Sequence, residues 1–237
     1  FWVSYIDALI KTTQLEAARE VLQQGKNNGL SEETINALEE QLSFSSPPHN
    51  QVNALIELYN AGQMVETEKG CLELLETYPQ ALVVINLLGA AFKAQGKLAE
   101  AMASYAQAIQ LKPDYAEAYN NLGLVLMKKG QIATAKKNFE RAVEIKQDFA
   151  AGHFNLGNCF LRKDNFESAI ASYQAALTID ETYAEAHNNL GVTLQSLGLM
   201  DKAITSYENA IASNPDYAEA HNNLGNIFKE LEQLDAA

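Results

Sequence analysis

The chain has 237 residues and a net charge of −13, from 17 basic against 30 acidic side chains. That balance argues against nucleic acid as a partner, because phosphate binding needs a basic footprint. With 47% hydrophobic and 20% charged residues the chain is not of the disordered class, and no apolar run approaches the roughly 18 residues of a spanning helix, so no membrane is expected either.

A period of 34 residues organises the sequence. YAEAYNNLG starts at 115, FAAGHFNLG at 149, and YAEAHNNLG at 183 and again at 217. Gly89, Gly123, Gly157, Gly191 and Gly225 keep the same step, as do Ala101, Ala135, Ala169 and Ala203, and the aromatic residues Tyr105, Phe139, Tyr173 and Tyr207. Within one period Leu122, Val125 and Leu126 make one apolar stripe, while Ala135, Phe139, Ala142 and Val143 make a second. Gly130 lies between them, where a left-handed backbone ends a helix. Each period therefore predicts two antiparallel helices, near 116–129 and 133–146 in this instance, with no strand anywhere. Gly123 and Ala135 let the two backbones approach closely, and Phe139 fills the space beside them.

In chain order, residues 1–32 read as a first, divergent helix pair carrying Leu9, Ala18, Leu22 and Gly25. Residues 33–47 are an insertion. Ser31 caps an extra helix through Leu42, with Glu32 and Glu33 favourably placed in its first turn, and Ser45-Ser46-Pro47-Pro48 breaks it. Five tandem units follow at 48–81, 82–115, 116–149, 150–183 and 184–217. Residues 218–237 are a truncated unit whose second helix barely starts at Leu234. Among the departures, Asp164 replaces the turn glycine and Glu181 replaces the proline of Pro113 and Pro215.

These positions resemble the tetratricopeptide repeat. Residues 82–115 supply Leu88, Gly89, Phe92, Gly96, Ala101, Tyr105, Ala108 and Pro113, and residues 184–217 supply Leu190, Gly191, Leu194, Gly198, Ala203, Tyr207, Ala210 and Pro215. The resemblance implies an all-α, right-handed superhelical solenoid of antiparallel helix pairs. It also implies that the first helix of each pair lines a concave groove that binds a protein or an extended peptide.

Numbered from Ala116 or its equivalent, position 6 carries Asn53, Asn121, Asn155, Asn189 and Asn223, and position 9 adds Asn158 and Asn226. The resemblance aims position 6 into the groove, where an amide can both donate to and accept from a peptide backbone. The array of O-linked N-acetylglucosamine transferases has such a ladder. The alternative reading is that these asparagines stabilise the helix pairs. Groove positions 2, 5 and 9 hold no basic residue in the complete repeats, so a carboxylate clamp is not expected. Glu117, Glu185 and Glu219 at position 2 favour a neutral or basic partner.

His153, His187 and His221 share position 4, but stacked equivalents stand roughly 8–10 Å apart whereas zinc holds its nitrogens near 2 Å. They read as packing positions, and no metal or cofactor is expected. Cys71 and Cys159 form neither a disulfide framework nor a ligand cluster, which suits a reducing, cytoplasmic setting. Lys128, Lys129, Lys136 and Lys137 make the one basic patch, which reads as a solvated face. With no phosphate loop, HExxH or GxSxG the chain does not read as an enzyme.

The expected function is a non-catalytic binding scaffold. The alternatives are the substrate-recruiting part of a larger glycosyltransferase- or sulfotransferase-type enzyme, as in bacterial arrays of this kind, or a self-assembling structural array. Phe1 stands where a methionine would, so the true N-terminus is expected upstream. Leu224, Ile227, Phe228 and Leu231 on the last first helix lack a full partner helix, and the chain is expected to continue beyond Ala237 or to associate head to tail, with Phe1 and Trp2 as the receiving surface.

Overall fold

The computed structural model describes residues 1–11, 14–44 and 46–235, and every regular element among them is an α-helix. The chain divides into two compact units, Phe1–Lys112 and Pro113–Ala237.

The first unit opens with α1 (Trp2–Lys11), α2 (Leu15–Asn27) and α3 (Glu32–Phe44). Ile6 and Leu9 of α1, Ala18 and Leu22 of α2, and Leu38 and Leu42 of α3 form one buried cluster. The inserted segment is therefore a packed third helix. Ser31 begins it as the sequence suggests, its Oγ accepting the Thr34 N–H at 3.3 Å. Two helix pairs follow, α4 (His49–Asn60) with α5 (Met64–Thr77) and α6 (Leu82–Ala94) with α7 (Leu98–Leu111). Leu55, Cys71, Val84 and Leu88 make their shared core.

The second unit contains α8 (Ala116–Lys128), α9 (Ile132–Ile145), α10 (Ala150–Leu161), α11 (Phe166–Ile179), α12 (Ala184–Ser196), α13 (Met200–Ser213) and α14 (Ala218–Asp235). Each second helix packs between its own partner and the first helix of the following pair. The first helices also meet one another directly, α8 with α10, α10 with α12 and α12 with α14. This row of first helices positions the candidate site.

One contact explains the strict repeat of glycine and aromatic residue. A methyl group on Gly123 would lie 2.6 Å from the buried Phe139 ring, and one on Gly157 or Gly191 would lie 2.6 Å from the Tyr173 or Tyr207 ring. The ring occupies the space that any side chain would need, so the two helices close on an aromatic spacer. The turns between paired helices repeat as well. Gly62, Gly96, Gly130 and Gly198 have φ of 77°, 78°, 75° and 73°, and Asp164 enters the same left-handed region at 54°.

The last unit departs from its sequence reading. The spacing predicts a second helix that barely starts at Leu234, yet α14 continues to Asp235 as one helix. Glu232 stands at the position that glycine or Asp164 takes in other repeats, and glutamate favours the helix over a left-handed turn. The expected uncovered apolar stripe is also only partly present. Ile227 is buried and Leu224 half-buried, while Phe228 is 47% exposed. The side chains of Leu231 and Leu234, and all of Ala237, lie outside the described residues.

Candidate ligand-binding face

Across the row of first helices, asparagines join neighbouring repeats. Asn155 Nδ2 on α10 donates to Asn120 Oδ1 on α8 at 2.9 Å, and Asn223 Nδ2 on α14 donates to Asn188 Oδ1 on α12 at 2.9 Å. Between these, Asn189 Nδ2 on α12 donates to Asn158 Oδ1 on α10 at 2.8 Å. Every junction between first helices in this unit thus carries an Asn–Asn bond. The Asn158 oxygen also accepts from the Tyr173 hydroxyl at 2.8 Å, which fastens the first helix of that repeat to its second.

The seven asparagines expected in a groove are therefore not equivalent. Asn155 is buried, and its Nδ2 is committed to Asn120. Asn121, Asn158, Asn189 and Asn223 are half-buried, and only Asn53 and Asn226 are exposed. In Asn158 both bonds fall on Oδ1, so the amide donors are left over for an external acceptor. Sequence reasoning missed the buried partners Asn120 and Asn188. Their signal was the Asn-Asn doublet that recurs at 120–121, 188–189 and 222–223.

The histidines have a local task. Nε2 of His153, His187 and His221 meets the carbonyl oxygens of Gln147, Glu181 and Pro215 at 3.1, 3.0 and 2.8 Å. A carbonyl only accepts, so Nε2 carries the proton and clips the start of each first helix to the turn before it. Among the described residues no group of histidine, cysteine or acidic side chains could hold a metal.

Of the acidic edge, Glu117 is paired with Lys146 at 3.4 Å, whereas Glu185 and Glu219 are exposed. The basic patch is similarly divided. Lys136 binds Glu140 at 2.7 Å and stands 5.0 Å from the Phe160 ring centroid, while Lys128, Lys129 and Lys137 remain exposed. Burial pushes the Cys71 thiol up to about 12 and the Cys159 thiol up to about 11, so both are protonated at neutral pH. No helix among the described residues is long and apolar enough to cross a membrane.

Paired helices that stack repeat on repeat, with first helices bonded side by side, define an all-α helical-repeat solenoid. Family models described as TPR repeat match residues 89–130, 160–198 and 196–232, and one described as tetratricopeptide repeat matches 116–149, together more than half of the chain. The chain belongs to the tetratricopeptide repeat family. No curated protein matches it.

Solved structures agree on the fold. A thermophilic TPR protein of Thermus thermophilus superposes with a TM-score of 0.64 at 19% identity, covering 76% of this chain and 97% of its own. YrrB, a TPR protein with an unusual peptide-binding site, gives 0.56 at 22% identity, covering 79% and 95%. MamA from Desulfovibrio magneticus RS-1 gives 0.60 at 18% identity, covering 71% and 95%.

Proposed function

We propose that this chain is a non-catalytic scaffold that binds an extended protein segment along the row of first helices α8, α10, α12 and α14. The observation that carries the reading is the half-buried amide network, and Asn158 within it. Its oxygen is occupied by two donors while its Nδ2 is unspent, so it offers a fixed hydrogen-bond donor to a peptide carbonyl. Asn226 lies two periods further along, exposed on α14. Val192 stands at the intervening position, so a backbone that runs across the row meets these amides at every second repeat, whatever its side chains. That YrrB has a peptide-binding site on the same fold supports the reading. The acidic surplus of residues 184–237, with 2 basic against 8 acidic side chains, favours neutral or basic segments.

The test places a photo-crosslinking side chain at Asn226, and separately at Glu208, which is exposed on the second helix α13. Each variant is exposed to a library of short unstructured peptides. Crosslinks that form at 226 and not at 208 support the first-helix face. Crosslinks confined to 208, or none at either position, contradict it.

A further inference from the structure

The repeat at 116–149 holds one of its own lysines in a place that the repeat at 184–217 leaves open. In the first, Lys146 Nζ stands 5.2 Å from the centroid of the Phe149 ring and 3.4 Å from Glu117 Oε1. An ammonium is thus held between an aromatic face and a carboxylate, a pairing that is favourable on both counts. Two periods later these three positions are Asn214, Tyr217 and Glu185. The ring and the carboxylate return, and the cation does not.

Asn214 cannot stand in for the lysine. It is short and neutral, and its Oδ1 is turned back to accept the Asp216 N–H at 3.2 Å. The position of Ala151 has meanwhile become Glu219, whose Oε2 accepts the Tyr217 hydroxyl at 3.4 Å. The later site therefore has the ring and two carboxylates. Among the described residues no basic side chain pairs with either one. Tyr217 is half-buried, and burial together with the charges of Glu219 and Glu185 pushes its hydroxyl up to about 12. Both carboxylates therefore act on that ring, which stays neutral at physiological pH.

We infer that Tyr217, Glu185 and Glu219 form a subsite for the side-chain ammonium of a lysine in the bound partner segment. The proposal rests on the scaffold reading and gives it a residue preference. Lys146 is the internal template for the ligand. A four-carbon stem lies along the ring and an ammonium reaches the carboxylate, as snorkelling lysines do elsewhere. Charge complementarity selects the occupant, since the second place carries two negative charges where the first is neutralised.

The experiment titrates acetylated tetralysine amide into the full chain and follows the Tyr217 ring signals by NMR, with acetylated tetraglutamine amide as the neutral probe. Saturable shifts centred on Tyr217 with tetralysine, and none with tetraglutamine, are expected. Glu185→Gln with Glu219→Gln should weaken tetralysine binding about tenfold. Asn214→Lys, which supplies the cation from within as Lys146 does, should weaken it about tenfold as well, with unchanged helix content by circular dichroism. Shifts centred on another acidic surface overturn the subsite, as does wild-type affinity in both variants. Peptide crosslinks at 226 that persist alongside such a result leave the scaffold standing and remove the subsite alone. Loss of both overturns both.

Discussion

Replacing Asn188 and Asn223 with alanine, singly and together, weighs what the amide bonds contribute to the array. Asn188 is fully buried on α12, where its Oδ1 accepts from Asn223 Nδ2 at 2.9 Å and its Nδ2 donates to Asn189 Oδ1 at 3.3 Å. Asn223→Ala leaves a buried oxygen without that donor, at a cost of about 1–3 kcal/mol. Asn188→Ala removes two bonds of about 0.5–1.5 kcal/mol each. The donor it strands on Asn223 is half-buried, so water satisfies part of the loss. The double variant removes both ends of the Asn188–Asn223 bond, leaving only Asn189 Oδ1 without its donor, and should be less destabilised than the sum of the two. The expected coupling is about 1 kcal/mol. Urea unfolding followed by circular dichroism and fitted with nearest-neighbour terms between repeats measures it. Single costs that add to within about 0.3 kcal/mol would refute the claim that this bond clasps the repeats.

Three further outcomes follow from single sites. Asp164 has φ of 54° where four equivalent turns use glycine, so Asp164→Gly should stabilise by about 0.5–1 kcal/mol, and a lower melting temperature would contradict the reading. The buried, protonated thiols of Cys71 and Cys159 should resist alkylation at pH 8 in the folded chain and react rapidly in denaturant; equal rates in both states would contradict their burial. Glu68 accepts from Lys97 Nζ at 2.6 Å and Gln95 Nε2 at 2.7 Å, and the Lys97 bond above all holds its carboxyl below the ordinary range. Its folded value is depressed, so its stabilisation is present above the ordinary glutamate value of about 4.3 and is lost as pH falls through the lower folded value. Glu68→Gln should therefore melt lower than the parent near neutrality and converge with it in acid, whereas a constant gap at all pH values would remove the ion pair from the explanation.

The fold was legible because the repeat is written in side chains of fixed size. Gly123 and Phe139 define each other, and the same pair recurs as Gly157 with Tyr173 and Gly191 with Tyr207, so a spacing rule suffices. The amide face was less legible. An asparagine at position 6 can reach position 5 of the preceding repeat, as Asn155 and Asn223 do, or position 9, as Asn189 does. Which one it chooses follows the preceding repeat, where position 5 is Asn120 or Asn188 in two cases but Phe154 in the third, and there position 9 supplies Asn158. That these two positions are the ones within reach shows only once the helices are stacked. The histidine ladder is similar: its regularity was visible, but its carbonyl partner becomes visible only once the turn is folded. At α14 the rule failed for a plain reason, since Glu232 removes the stop signal while the apolar pattern persists.

Peptide binding along the first helices turns most directly on the unspent donor of Asn158. Asn158→Asp keeps an oxygen for Tyr173 and Asn189 and replaces the Nδ2 donor with a second oxygen that only accepts, adding one negative charge. The affinity of a neutral peptide selected by crosslinking at 226 is then compared between parent and variant by calorimetry, with melting followed alongside. Binding weaker by at least about tenfold, the scale of one hydrogen bond, is expected, with melting unchanged. Equal affinity would contradict a ligand that reads the amides of the first-helix row.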